Sequence, residues 1–109
     1  MFNFDQLIDV VKQQIGDLAE SEWSSYKASV IQSGDEFLQA SKDRLKNWTE
    51  ELASGQLSKE DFEFLVKGLK DLAKMEALKR AGLTLIQLDK LRNSILNMII
   101  GSTLDMISK

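Results

Sequence analysis

The chain has 109 residues, 43% hydrophobic and 28% charged, the proportions of one globular domain rather than of a disordered or fibrous chain. It contains no histidine, cysteine or proline, which excludes histidine- or cysteine-ligated metal sites, Ser-His-Asp and Cys-His catalysis, disulfides and covalent haem attachment. Lysine and arginine number 14 against 17 aspartates and glutamates, a net charge of -3, the wrong sign for gripping phosphate backbones, so nucleic acid is not an expected partner.

The N-terminal stretch MFNFDQLIDVV carries Asp5 and no basic residue before Lys12, so it lacks the positive start of a secretory signal, and the cytoplasm is the expected compartment. No strand-like alternation is sustained, whereas apolar residues recur at three- and four-residue steps over most of the length, which predicts an all-α fold. The first arm, residues 4–53, carries a narrow seam of Phe4, Ile8, Val11, Ile15, Ala19, Trp23, Tyr26, Val30, Gly34, Phe37, Ser41, Leu45, Trp48 and Leu52. Its mean step of about 3.7 residues is nearer an eleven-residue than a seven-residue repeat and predicts nearly straight packing. Trp23, Tyr26 and Trp48 on this seam read as core or interface anchors with polar edges at the rim.

A turn is predicted at residues 54–57. Gly55 suits the left-handed position just past a helix end, and Ser58 followed by Glu60 and Asp61 supplies an N-cap with acids in the first turn. The second arm, residues 58–107, places Phe62, Leu65, Val66, Leu69, Leu72 and Ala73 on one face. After a polar interval the face resumes with Leu88, Leu91, Ile95, Met98, Ile99 and Met106. Two weaker marks interrupt the arms: Ser33-Gly34-Asp35-Glu36, spelled like a capping box, and a C-cap glycine at Gly82 followed by a second box from Thr84 to Gln87.

These features predict one helical domain built as an antiparallel hairpin of two long helices, kinked where Gly34 and Gly82 lie at similar height. The seam keeps its phase through Gly34, which favours a kink over a loop. Each arm, as one helix, would be ~75 Å long. A lone hairpin of that length buries too little surface, so two hairpins are expected to dimerise into a four-helix bundle. The alternative is a monomeric four-helix bundle with helices at 4–32, 34–54, 59–81 and 84–107. Residues 1–57 carry net -5 and residues 58–109 net +2, which favours pairing unlike arms.

The C-terminal helix has two apolar faces. Leu96, Ile100, Leu104 and Ile107 recur at four, four and three residues, rotated by more than ~90° from the face of Ile95 and Ile99. They are the expected interface with a second subunit. No catalytic, cofactor-binding or metal-ligating residue is assigned. The adjacent acids Asp35-Glu36, Glu50-Glu51 and Glu60-Asp61 point to different sides of a helix rather than converging. Lys67, Lys70 and Lys74, with Lys79 and Arg80 beyond, are interleaved with Glu63, Asp71 and Glu76 and read as a solvated face.

The leading functional reading is a non-enzymatic helical interaction or structural module that self-associates. The second is a small exported hairpin effector or chaperone-like protein. Small secreted helical hairpins turn at Trp-x-Gly, a motif missing from Trp23-Ser24-Ser25 and Trp48-Thr49-Glu50. The third is a reversible membrane-surface binder using residues 83–107, for which Asp89 and Asp105 make a poor basic face. The apolar run Met98-Ile99-Ile100 is far short of the ~20 residues that span a bilayer.

Overall fold

The computed structural model describes residues 2–108, and the described chain is all-helical. Five α-helices follow in order: α1 (Phe4–Glu22), α2 (Lys27–Ala53), α3 (Lys59–Lys67), α4 (Glu76–Arg80) and α5 (Leu85–Ser108). Tight 3₁₀ turns occupy Ser24–Tyr26 and Gly68–Leu72. The longest dimension is 42 Å, which the 27-residue α2, ~40 Å long at 1.5 Å per residue, nearly spans by itself. Neither arm is therefore a single ~75 Å helix. Each doubles back on itself, so that helices of the same arm pack against one another.

The first reversal lies at Trp23–Tyr26, eight to eleven residues before Gly34. Trp23 leaves the helical region at φ -129°, its N–H still bonded to the Ala19 carbonyl, and the Tyr26 N–H then closes a turn on the Trp23 carbonyl. The helix of the alternative reading that ended at residue 32 thus ends at Glu22 instead. Gly34 lies inside α2, and its bare backbone receives Ile15. A Cβ placed there would stand 3.0 Å from both Cδ1 and Cγ2 of Ile15. Glycine at this position serves a close approach of α1 to α2 rather than a turn. The capping-box reading of Ser33 fails for the same reason, since its hydroxyl is buried without a hydrogen-bond partner in the helix interior.

The two other glycine marks are true helix ends. Gly55 and Gly82 have φ of 84° and 97°, in the left-handed region. At each, the following residue bonds five back, Gln56 N–H to the Glu51 carbonyl and Leu83 N–H to the Leu78 carbonyl. The glycine N–H bonds Leu52 and Lys79 respectively, completing the Schellman motif in both cases. Ser58 accepts from the Asp61 N–H and starts α3. Thr84 and Gln87 exchange reciprocal bonds of 2.9 and 3.2 Å and start α5.

α1 lies against α2 and α5, while α2 also meets α3 and α4, and α5 meets α3. The core runs the length of the bundle through Val11, Ile15, Val30, Phe37, Leu45, Phe62, Val66, Leu78, Leu88, Leu91, Ile95 and Ile99. Every residue of the first-arm seam is buried or half-buried, and Trp23, Tyr26 and Trp48 are half-buried against this core.

Leu45 is fully buried and Lys67 exposed. In urea titrations, Leu45→Ala should cost about 2–5 kcal/mol and Lys67→Ala less than about 0.5 kcal/mol. Gly34→Val should cost about 1–3 kcal/mol by overpacking against Ile15. Ile15→Ala, costly alone, should cost distinctly less in the Gly34→Val background. Additive effects in that double-mutant cycle would show that the two residues do not share the space.

Candidate interaction surface

Apolar groups left outside the core define this site, beginning with the residues expected to face a second subunit. Leu96 and Ile100 are only 3% and 7% exposed within the single chain. They are covered because α5 lies between α1 and α3 and both of its apolar faces are used internally. Leu96 shares a surface groove with Lys67 and Lys70, which marks its side as the α3 side. Ser102 donates to Gln14 Oε1 at 3.0 Å and marks the α1 side. Leu96 and Ile100, expected to face a second subunit, are thus already buried within the single chain, where the third arm of the bundle, α3 through α4 (residues 59–80), lies on the Leu96 side.

Leu104 and Ile107 are half-buried. Ile107 lines a hollow of about 730 Å³ with Phe2, Glu50, Ala53, Ser54 and Met106, at the end of the bundle where both ends of the described chain meet. The four expected interface residues therefore divide, two in the core and two at or near one pole.

The large apolar side chains most open to solvent lie elsewhere. Leu85 is 76% exposed, Ile86 83% and Phe64 78%. Phe64 stands alone on α3. Leu85 and Ile86 form the first turn of α5, directly after the Thr84 cap, at the pole opposite the Phe2–Ile107 hollow. Ile86 is ~160° around the helix from buried Leu88, and so points away from the core. One turn further on the same side, Lys90 borders a cleft of about 310 Å³ with Gln87 and the Glu22–Tyr26 reversal. Trp23 and Tyr26 contribute half-buried aromatic surface there. The sequence signal for this pair is two adjacent apolar residues directly after a cap and out of phase with the Leu88 face, which three- and four-residue steps do not register.

A shallow groove of about 1080 Å³ runs between α1 and α5, bordered by the polar Gln6, Gln14, Asp17 and Ser94 and by the half-buried apolar Val10, Leu18, Met98 and Met106. Among the described residues, no three His, Cys, Asp or Glu side chains gather in a way that would hold a metal ion. No described helix is long and apolar enough to cross a membrane. In the basic stretch, Glu76 pairs with Lys79 at 3.6 Å, both well exposed, a contact worth at most about 1 kcal/mol.

Comparison with protein-family models, curated proteins and solved structures finds no match for this chain.

Ile100→Glu should unfold the chain, because it places an unpaired carboxylate in the core. Leu104→Glu, at a half-buried position, should leave it folded. Circular dichroism decides between them. Retained helicity in Ile100→Glu would return that residue to the surface.

Proposed function

We propose that this protein is a non-enzymatic helical interaction module that self-associates through the apolar pole at the start of α5. The observation that carries the reading is the exposure of the adjacent Leu85 and Ile86, 76% and 83%. Scattered single apolar residues are ordinary on a protein surface. Two consecutive large aliphatics beside a partly aromatic cleft supply the kernel of an apolar contact. A second copy of the chain is the simplest occupant, because an isologous two-fold contact sets each apolar patch against its own equivalent. Nearby Glu22 and Lys90 carry opposite charges, and a two-fold axis through the pole can bring each toward its counterpart.

The test is a comparison of wild type with Leu85→Ser/Ile86→Ser. Both residues lie outside the core, so the urea midpoint should hardly change, with an effect within about 1 kcal/mol. Sedimentation velocity at tens of micromolar should find a dimer for the wild type and a monomer for the variant. A monomeric wild type, or a dimer that survives the substitutions, would overturn the reading.

A further inference from the structure

The third arm has a discontinuity that the other helices lack, and it lies in residues 73–84. After α3 the chain tightens into the 3₁₀ turns of Gly68–Leu72, and Ala73 then leaves helical geometry at ψ 73°. The Lys74 N–H bonds back to the Leu72 carbonyl. Met75 follows in the left-handed region, φ 54° and ψ 43°, the single non-glycine residue at positive φ among those described. An unbranched L-residue adopts that conformation against a steric penalty, so something outside the local backbone must hold it there.

Two things hold it. The Met75 side chain is buried at 3% exposure and, with Leu78 and Leu83 at 0% and 7%, plugs the core where the segment crosses α2. Arg92 on α5 donates from Nε to the Ala73 carbonyl at 3.0 Å. The same guanidinium is aimed by Asp89, which accepts from its Nη1 at 2.8 Å. The remaining bonds described for the segment are local. Leu78 and Lys79 N–H groups bond the Met75 carbonyl, Ala81 bonds Ala77, Gly82 bonds Lys79, and Leu83 bonds Leu78. α4 has five residues, well below the ~12–15 at which an isolated helix is even marginal in water, so it persists only while docked. Glycine at 82 and the 3₁₀ turns at 68–72 give the segment a pliable joint at each end.

We propose that residues 73–84 form a strap that undocks as one unit while α1, α2 and α5 remain closed, with Arg92 as its latch. Undocking releases the strained Met75 backbone and forfeits only the burial of Met75, Leu78, Leu83 and Ala73, far less than the whole core. The open form brings Met75, Leu78 and Leu83 to the surface next to the already exposed Leu85 and Ile86. The apolar pole is then enlarged severalfold. This inference stands apart from self-association: a strap can open in a monomer, and a dimer can form with the strap closed.

Native-state hydrogen exchange on the full chain, read by peptide mass spectrometry, tests it. The hydrogen-bonded amides of residues 78, 79 and 81–83 should exchange together, at least tenfold faster than those of α1 and central α2. Arg92→Ala should speed them by a further tenfold or more, as expected for losing a hydrogen bond from a charged donor, and leave α1 and α2 unchanged. Exchange of the strap at the rate of α2, or acceleration of all helices alike, would overturn the proposal. Should Arg92→Ala fail to fold, limited trypsin digestion of the wild type decides instead. The first cuts should follow Lys74, Lys79 or Arg80 rather than the equally exposed Lys42, Arg44 or Lys46 in α2, and first cleavage in α2 would sink it.

Discussion

The seating of Ile15 against the bare backbone of α2 at Gly34 sets how closely the first two helices approach. α1 and α2 make the most extensive helix pair in the molecule, and the third arm and α5 are laid onto the platform they form. A Cβ at position 34 would meet the Ile15 side chain at 3.0 Å, so that Ile15 or the helix carrying it must give by a few tenths of an ångström. The displacement would propagate along Val11, Val30, Phe37 and Leu38, because close-packed interiors have no slack to absorb it. The polar contacts are subordinate to this. Ser41 and Thr103 return their hydroxyls to the Phe37 and Ile99 carbonyls of their own helices, which makes buried polar groups compatible with an apolar seam.

Which residues face inward was largely legible in the sequence, but the direction in which the chain runs was not. The first-arm seam from Phe4 to Leu52 has all its members buried or half-buried, yet it crosses a complete reversal at Trp23–Tyr26. Periodicity reports the inward face of each helix, and two antiparallel helices that share a core present the same signal as one long helix. The reversal itself contains no glycine, proline or capping box. It is made by a single 3₁₀ turn over Ser24, Ser25 and Tyr26, residues that a helix also tolerates. Glycine misled at position 34 and informed at 55 and 82, where the flanking Glu51–Gln56 and Leu78–Leu83 carbonyl-to-amide bonds needed a left-handed residue. The break at Met75 could not be read at all, since nothing in Lys74-Met75-Glu76 marks a positive φ.

The exposed pair at the start of α5 was hidden by a different cause. Patterns of three and four identify faces, and Leu85 and Ile86 belong to a helix end, where neighbouring helices have already stopped. The second apolar face of α5 misdirected attention in the opposite sense. Two apolar stripes on one helix are equally consistent with a partner chain and with a neighbour in the same chain. The third arm, broken at 68–75, lies along both α5 and α2, and Leu96 and Ile100 of the second face are buried within the single chain.

Phe2 and Ile107 border one hollow, so the two ends of the described chain emerge side by side, at the pole farthest from Leu85 and Ile86. The molecule is topologically almost a closed ring. A short flexible linker of a few residues bridging that hollow would join the ends, and a new opening within 54–57, beside the same hollow, would recast the chain to run from α3 through α5 and α1 to α2. In that permuted order the pairing of α1 with α2 stays local, whereas that of α2 with α3 becomes the most distant in sequence. A fusion made at residue 2 or 108 therefore starts most of a 42 Å axis away from the apolar pole.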